Sequence, residues 1–393
     1  MKKDIFLLGS TGSIGETTLK VIKKHKSNFN VKLLSTNKNI KKIYKQAIQF
    51  DVKNIVIFDK NSYLNNLKKF KDKKIKVFTS ITEALRRNKK KSFLTINGIS
   101  GIEGLEPTLD IIKYSNNLAI ANKESIICGW QFIAEELKKK KTGFIPLDSE
   151  HFSIWSLLKN ESKKNIKKIY LTASGGPFLN KDLKNIKYIK PKFALNHPNW
   201  KMGRKISIDS ATMMNKIFEI IEAIKIFNLD KNKFDILVHP KSYLHAIVNF
   251  ENGLTKLLAH ETTMEIPIAN ALFSSKNNYI FRSSSFKYNK LNSLNLVKPN
   301  NKKFPLLKIL NYKFKNTYFE IILVSINEVL VKNYLADKIP YIDIHNKMIE
   351  LLKKPYFSKY YSSRPKNIKD IKSMVEIVNQ YLIKNLKAND KNY

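Results

Sequence analysis

The sequence has a single cysteine, Cys128, among its 393 residues. One cysteine excludes an intramolecular disulfide and is typical of a reducing compartment, so we expect a cytoplasmic protein. No run of about 18 or more uncharged apolar residues occurs, and we therefore expect no transmembrane helix and no membrane partner. The start, MKKDIFLLGSTG, imitates a secretory signal only faintly, because Asp4 interrupts the apolar run and glycines follow at once. These residues predict a first β-strand instead.

Acidic residues are also scarce. Lys and Arg number 72 against 32 Asp and Glu, which gives a formal net charge of +40. A charge of this size fits nucleic-acid binding. The alternative is a genome biased towards AT-rich codons, which enriches Lys, Asn, Ile and Phe everywhere. Because the lysines are spread along the whole chain, we favour codon bias and expect no nucleic-acid partner.

The apolar patterns divide the chain into segments of different type. In residues 1–147, strand patterns such as DIFLLG and NIVIFD alternate with helical ones, which predicts a Rossmann-like, doubly wound parallel sheet that binds a nucleotide. Strands and helices with long loops continue through residues 148–275. Residues 276–300 are typical of a polar connector with a weak strand or two, and residues 301–393 show helical periodicity. The sequence therefore predicts an α/β fold with a small C-terminal helical domain.

Three glycines follow the first predicted strand at regular spacing, as Gly9, Gly12 and Gly15 of GSTGSIG. Glycines let the backbone approach a pyrophosphate, and the N-terminus of the next helix supplies N–H groups and a positive dipole. The strand–loop–helix context favours a dinucleotide site over a tight turn that binds nothing.

The end of the second predicted strand indicates which dinucleotide binds. NAD enzymes place Asp or Glu about 20 residues after the glycine loop, where it binds the ribose 2′-hydroxyl. Here residues 35–39 contain Lys38 and no acid. A lysine suits a 2′-phosphate, so we predict NADP(H). The alternative is that Lys38 is one more surface lysine.

Two acids stand two residues apart in the segment PLDSEH. In extended chain the side chains of Asp148 and Glu150 point the same way. Their charges repel unless a cation lies between them or one of them is protonated. Oxygen ligands of this kind select a hard divalent ion such as Mg²⁺ or Mn²⁺. From these residues alone, a solvated pair of acids is an equal alternative.

Short polar side chains are concentrated in residues 197–216, HPNWKMGRKISIDSATMMNK. Ser210, Asn215 and Lys216 offer a hydroxyl, an amide and an ammonium group, a set suited to a phosphate. On a helix, Glu219 would share a face with Asn215 and Lys216, since it follows them at i+4 and i+3. Glu219 could then complete a metal site with Asp148 and Glu150.

Other polar groups stand in predicted turns and at strand ends. Ser174 begins a glycine turn that could offer a hydroxyl and backbone N–H groups to an anion, with a plain turn as the alternative. Trp200 and Met202 lie in a loop that suits a lid. Lys123 and Glu124 fall at the end of a strand, where a doubly wound sheet binds ligands.

In order and spacing, the motifs GSTGSIG, ANKES, LDSEH, TASGGPF, HPNWKMGRKIS and DSATMMNK resemble those of the 1-deoxy-D-xylulose 5-phosphate reductoisomerases of the non-mevalonate (MEP) isoprenoid pathway. The resemblance covers essentially the whole chain, and six motifs in order are far more specific than any one. It implies conversion of that sugar phosphate to 2-C-methyl-D-erythritol 4-phosphate with NADPH and a divalent metal (Mg²⁺, Mn²⁺ or Co²⁺). It also implies a homodimer, and a catalytic domain with a flexible flap in residues 148–275.

The resemblance further implies roles for individual residues. Metal ligands would be Asp148, Glu150 and Glu219. Cofactor contacts would come from Thr11, Gly12, Ser13, Ile14, Asn37, Lys38, Asn39, Asn122, Glu124 and Gly203. Substrate would be bound by Lys123, Ser149, Glu150, Ser174, His197, Ser210, Asn215, Lys216 and Glu219. The catalytic residues would be Lys123, Asp148, Glu150, His197 and Glu219.

The sequence departs from the family pattern in three places. Asn37 stands where Gly is frequent, although Asn tolerates positive φ. Phe152 stands where Asn or Ser is common, and Ile217 and Phe218 replace a pair similar to Gly-Leu. We expect Phe152, Ile217 and Phe218 to touch no ligand, and we expect none of the three departures to impair activity.

Two other functions compete with this interpretation. A generic NADP-dependent dehydrogenase of the semialdehyde type shares the glycine loop, but it needs a catalytic cysteine, and Cys128 lies away from every motif. A basic nucleic-acid-binding protein should show clustered Lys and Arg interleaved with aromatic residues, and the sequence shows no such cluster.

Overall fold

The structure is a computed structural model that describes residues 1–71, 73–88, 90–273, 288–292 and 294–387. The described chain forms two compact units. The first unit comprises residues 1–126 and 131–152 together with the segment that begins at Thr263. The second comprises residues 127–130 and 153–262 together with the described residues from 288 onward.

A parallel sheet of seven strands forms the centre of the first unit, in the order β4-β3-β2-β1-β5-β6-β7. The strands are β1 (Lys3–Leu8), β2 (Phe29–Thr36), β3 (Asn54–Ile57), β4 (Lys76–Phe78), β5 (Leu94–Asn97), β6 (Asn117–Ile120) and β7 (Gly143–Pro146). Ile5, Leu7 and Leu8 are fully buried, as expected for a parallel strand covered on both faces. The winding direction reverses between β1 and β5, which is where such sheets bind ligands.

Helices follow most of these strands. They are α1 (Ser13–Lys24), α2 (Ile40–Gln49), α3 (Lys60–Leu64), α4 (Leu67–Lys71), α5 (Ile81–Leu85), α6 (Leu105–Ile112) and α7 (Lys123–Lys140), with α8 (Ser149–Leu157) starting after β7. A later helix, Glu265–Phe273, is α12 in chain order and returns to the same core. There Glu265 forms ion pairs with Lys20 and Lys24 of α1. The first unit therefore includes a segment that the sequence analysis placed in the second predicted domain.

A mixed sheet of four strands, in the order β11-β10-β8-β9, lies in the second unit. The strands are β8 (Ile166–Ala173), β9 (Phe234–Val238), β10 (Leu244–Phe250) and β11 (Thr255–Ala259). Only β8 and β9 pair in parallel. The helices are α9 (Pro191–Ala194), α10 (Arg204–Ala211), α11 (Met214–Phe227), α13 (Tyr288–Leu291), α14 (Tyr318–Leu335), α15 (Tyr341–Lys353), α16 (Pro355–Ser358) and α17 (Ile368–Lys387). Short 3₁₀ helices occur at Ile102–Gly104, Lys163–Asn165, Leu183–Ile186, Lys231–Lys233 and Pro305–Asn311.

The predicted α/β fold, with its Rossmann-like parallel sheet and helical C-terminal region, is confirmed. The boundaries at 147, 275 and 300 stay predictions. Most of the connector predicted at 276–300 lies outside the described residues, and its described part contributes the bridge between Val297 and Val238. Among the described residues, no helix is both long and apolar enough to cross a membrane.

One buried ion pair joins α11 to the start of α14. Lys225 Nζ lies 3.3 Å from Glu320 Oε1, and both side chains are almost fully buried. The Glu320 carboxylate also accepts hydrogen bonds from the backbone of Asn316 and Thr317 at 2.8 and 2.9 Å, which completes a capping box. Burial lowers the pKa of Lys225, and the charge of Glu320 opposes that shift.

We predict that Glu320→Ala lowers the free energy of unfolding by about 3–5 kcal/mol, because it leaves the Lys225 charge buried without its carboxylate. The control is Glu350→Ala, which breaks an exposed i,i+4 pair with Lys354 and should cost nothing measurable. Urea unfolding followed by circular dichroism measures both. Equal losses for the two variants would show that the buried pair is not important for stability.

Candidate active site

The glycine loop lies at the carboxyl end of β1. Gly9 has φ +71°, and a Cβ at this position would lie 2.8 Å from the backbone of Gly98, the residue after β5. A Cβ at Gly15 would overlap the backbone of Ser10. Gly12 caps the N-terminus of α1. The sterically required glycines are therefore Gly9 and Gly15, and the predicted strand–loop–helix context is present.

Hydrogen bonds fix this loop to the end of β2. The Gly9 N–H donates to Ser35 Oγ at 3.0 Å, and the Ser10 N–H donates to the Ser35 carbonyl at 2.9 Å. The hydroxyls of Thr11 and Thr36 lie 2.8 Å apart. The loop is thus held in one conformation next to the residues predicted to meet the adenosine end of the cofactor.

Lys38 follows β2, and its side chain is 72% exposed. Its Nζ lies 3.7 Å from Asp59, which follows β3. Hydrogen bonds from Ser62, together with the charge of Lys38, lower the pKa of Asp59. Asn39 accepts the Lys42 N–H at 3.2 Å and so caps α2, which occupies the side-chain oxygen that could have reached a cofactor. Asn37 does not adopt positive φ, so the substitution for Gly strains nothing here.

Lys123 and Glu124 begin α7, directly after β6, and both are buried. Asn122 caps this helix by accepting the Ser125 N–H at 2.6 Å. Its amide nitrogen donates to the carbonyls of Ile99 and Gly101. These contacts use both polar atoms of the Asn122 side chain, which therefore holds the turn after β5 in place.

Asp148 lies at the carboxyl end of β7 in contact with two basic side chains. Its carboxylate forms a short ion pair with Lys123, and its Oδ1 lies 3.0 Å from His151 Nδ1. Burial raises the pKa of Asp148, but Lys123 and His151 outweigh it and hold that pKa well below its usual value. Oxygens of Asp148 and Glu150 lie within 4.8 Å of one another, and Ser149 donates to Glu150. The first unit thus places two ionisable oxygen donors side by side.

In the second unit, α11 presents the predicted helical face. Asn215 Nδ2 donates to Glu219 Oε1 at 2.5 Å, and Lys216 forms a short ion pair with the same carboxylate. The spacing argument for residues 215, 216 and 219 is therefore confirmed. Met213, at φ +66°, makes the turn between α10 and α11, and it is buried together with Met214, as expected for core residues.

Ser174 follows β8 and begins a turn in which Gly175 and Gly176 have φ +81° and +69°. A Cβ at Gly176 would lie 2.9 Å from the Ser210 carbonyl oxygen, so the turn packs against the end of α10. Ser174 Oγ lies 2.9 Å from His197 Nε2 and accepts the Gly176 N–H at 3.0 Å. The second unit therefore brings Ser174, His197 and the backbone of Ser210 together.

The loop predicted as a flap, residues 197–203, is anchored at two points. Asn199 Nδ2 donates to the Pro240 carbonyl at 2.6 Å and to Ser242 Oγ at 3.0 Å. The Trp200 ring meets the edge of His245, with centroids 6.0 Å apart. The loop ends at Gly203, which caps α10.

The sequence analysis missed several residues that shape these sites. Asn199 lies inside the motif HPNWKMGRKIS, between His197 and Trp200, and that position was the available signal. Asp59 follows its strand just as Lys38 follows β2, and that shared position was the available signal. Asp209 accepts from Asn327 at 2.7 Å and from Lys205 at 2.9 Å, and a contact with a residue more than 100 positions away carries no sequence signal.

The departing residues Phe152, Ile217 and Phe218 are all buried apolar side chains. They contribute to packing, and the expectation that they touch no ligand stays a prediction.

Family models match most of the chain. Residues 5–129 match "1-deoxy-D-xylulose 5-phosphate reductoisomerase", residues 144–227 match the C-terminal domain model of that enzyme, and residues 260–381 match "DXP reductoisomerase C-terminal domain". A reductoisomerase of Pelagibacter ubique is 52% identical over 380 residues, covering 96% of this chain and 97% of its own. The chain belongs to the 1-deoxy-D-xylulose 5-phosphate reductoisomerase family.

Solved reductoisomerase structures agree. A reductoisomerase in complex with NADPH, fosmidomycin and magnesium superposes with a TM-score of 0.90 at 29% identity, covering 99% of both chains. The Zymomonas mobilis reductoisomerase in complex with NADPH gives 0.84 at 28% identity, covering 96% of this chain and 97% of its own. Membership in the reductoisomerase family favours neither of the two alternative functions. A semialdehyde dehydrogenase would also have to use Cys128 of α7 as its catalytic cysteine, and this residue is buried.

We predict that Gly176→Ala lowers kcat/KM of this reductoisomerase about 10- to 100-fold, because the methyl group must displace the turn from Ser210. Gly253→Ala is the matched control. Gly253 also has positive φ, at +87°, but nothing lies within 4 Å of its Cβ position. That control should lose only stability, by about 1 kcal/mol. Unchanged kinetics in Gly176→Ala would show that the turn does not contact substrate.

Proposed function

We propose that this chain converts 1-deoxy-D-xylulose 5-phosphate to 2-C-methyl-D-erythritol 4-phosphate, with NADPH as reductant and a divalent metal ion, in isoprenoid biosynthesis. The observation that carries the proposal is the 52% identity to a reductoisomerase over 96% of this chain. The placement of the motif residues at strand ends and on one helix face supports it.

The residues present fit a divalent metal. Asp148, Glu150 and Glu219 supply three carboxylates, the hard oxygen donors that Mg²⁺, Mn²⁺ and Co²⁺ accept. The ion would act as a Lewis acid on the substrate ketone and a neighbouring hydroxyl while a carbon–carbon bond breaks and re-forms, and NADPH would supply the hydride. Lys123, which contacts Asp148, would bind a substrate oxygen.

A phosphate anchor is proposed in the second unit. Ser174 and Ser210 offer hydroxyls, Asn215 an amide and Lys216 an ammonium group. Lys216 is almost fully buried, so its charge is little screened by solvent. The anchor would keep the phosphate-bearing fragment in place while the two fragments of the substrate are not covalently joined. Trp200 and Met202 of the 197–203 loop would cover them and exclude water.

The proposed cofactor contacts are those that the family resemblance implies, with two adjustments. Asn39 and Asn122 use their side chains as helix caps, so these residues would contact NADPH through their remaining groups. Thr11, Gly12, Ser13 and Ile14 would meet the pyrophosphate at the start of α1, Asn37 and Lys38 the 2′-phosphate, Glu124 the ribose and Gly203 the nicotinamide.

We also propose a homodimer located in the cytoplasm. Leu257 of the edge strand β11 and Leu254, which directly precedes this strand, have exposed side chains. A second subunit would cover these side chains and the strand edge. The single cysteine supports a reducing compartment. Sedimentation equilibrium measures the dimer, and Leu257→Lys should shift it towards monomer if β11 lies at the interface.

We predict that the enzyme prefers NADPH over NADH and that Lys38→Glu reduces this preference about tenfold or more, since a like charge would face the 2′-phosphate. Lys53→Glu, which reverses a charge at the amino end of β3, is the control. The ratio of kcat/KM for the two cofactors is the readout. Equal use of both cofactors by the unmodified enzyme would refute the assignment of Lys38.

We predict that Glu219→Gln keeps NADPH binding but lowers metal affinity and reduces turnover by about 100-fold or more. The variant keeps the side-chain size and removes one of three carboxylate charges. Oxidation of NADPH is followed with substrate over a range of Mn²⁺ concentrations, and Glu161→Gln, which changes a surface ion pair, is the control. Near-normal turnover at low metal would mean that the ion is held by Asp148 and Glu150 alone.

A further inference from the structure

The hydrogen bonds around His197 determine where its proton lies. Two backbone N–H groups, those of Asn199 and Trp200, point at His197 Nδ1 from 3.2 and 3.0 Å. A nitrogen that accepts N–H groups must present its lone pair, so Nδ1 carries no hydrogen. The proton of the neutral ring is therefore on Nε2, which faces Ser174 Oγ at 2.9 Å.

Protonation of the ring is disfavoured by the same contacts. A second proton on Nδ1 would face the two N–H groups that point at it. Burial also lowers the pKa of His197 to about 4. The ring is consequently neutral and has a single tautomer over the physiological pH range.

This arrangement orients the Ser174 hydroxyl. Its oxygen accepts one hydrogen bond from His197 Nε2–H and another from the Gly176 N–H, which uses both lone pairs. The hydroxyl hydrogen is then directed towards an acceptor outside this turn, and a phosphate oxygen is such an acceptor.

We propose that His197 is a neutral positioning residue that turns the Ser174 hydroxyl hydrogen towards the incoming phosphate and links this hydroxyl to the backbone of residues 199 and 200. The link connects the phosphate anchor to the loop that carries Trp200. His197 then acts through Ser174, and it is neither a direct phosphate ligand nor an acid–base catalyst. The identity of the anion rests on the proposed function.

Two substitutions separate the hydrogen bonds made by Nδ1 of His197 from the one made by its Nε2. The amide of His197→Asn reproduces the Nδ1 acceptor but cannot reach Ser174. That of His197→Gln can reproduce the Nε2 donor but not the Nδ1 acceptor. Both are uncharged at every pH. The affinity for inorganic phosphate is measured by calorimetry. The fluorescence emission of Trp200 is measured in a Trp130→Phe, Trp155→Phe background, which leaves one of the three tryptophans.

We predict that His197→Asn lowers phosphate affinity about tenfold and raises the substrate KM similarly, as expected for one lost hydrogen bond, while Trp200 emission and kcat change little. His197→Gln should keep phosphate affinity within about twofold and shift Trp200 emission to the red, because the backbone of the loop loses its acceptor. The pH profile of kcat should be unchanged in both variants.

A double-mutant cycle tests whether His197 acts through Ser174. Ser174→Ala should also lower phosphate affinity about tenfold, and adding His197→Asn to it should cause no further loss. Additive losses would make His197 a direct ligand and overturn the proposal. So would a drop in kcat of about 100-fold in both His197 variants, as expected for loss of a general acid or base.

Thermal unfolding verifies that each variant is folded. If a His197 variant does not fold, the phosphate affinity of Ser174→Ala still tests the proposal. In that case, an unchanged phosphate affinity in Ser174→Ala would overturn it. The phosphate and fluorescence measurements need no turnover. They remain decisive even if the chain fails to oxidise NADPH with the sugar phosphate, which would refute the proposed function alone.

Discussion

A buried charged side chain needs a partner of opposite charge, and the proposed metal and phosphate sites depend on two such ion pairs. In the first unit Asp148 is held ionised by Lys123, and in the second unit Lys216 lies against Glu219. Removing such charges from water is costly, and in each pair the opposite charge offsets part of that cost. The proposed function uses the same groups, the carboxylates of Asp148 and Glu219 for a divalent cation and Lys216 for a phosphate. These ion pairs therefore stabilise the charged side chains that the proposed reaction uses.

Much of this arrangement follows from local rules and was predictable from the sequence. The parallel sheet follows from alternating strand and helix patterns. Gly9 and Gly15 are dictated by close backbone contacts that no side chain could enter. The shared face of Asn215, Lys216 and Glu219 follows from helical spacing alone. The helical face and the contact of Gly15 with Ser10 involve residues a few positions apart, so a sequence pattern is sufficient to reveal them. Gly9 contacts the distant Gly98, but the glycine motif after a predicted strand already marks it.

The remaining features depend on contacts between distant residues. No spacing rule brings Asp59 to Lys38 or Asn199 to the turn at 240–242. The return of Glu265–Phe273 to the first core is equally non-local, and no sequence pattern indicates it. The sequence also does not show that the side chains of Asn39 and Asn122 cap helices. Motif membership identifies important residues without showing which of their atoms are available.

The most direct test of the proposed reaction is the carbon skeleton of the product. A reductase that only adds hydride leaves a linear chain, whereas a reductoisomerase must also move a carbon–carbon bond. The purified protein is incubated with 1-deoxy-D-xylulose 5-phosphate, NADPH and Mg²⁺, and the product is examined by carbon NMR. We predict a branched product with a methyl group on a carbon that bears no hydrogen, formed only when metal is present. A linear polyol phosphate, or NADPH oxidation that persists after chelation of the metal, would contradict this account.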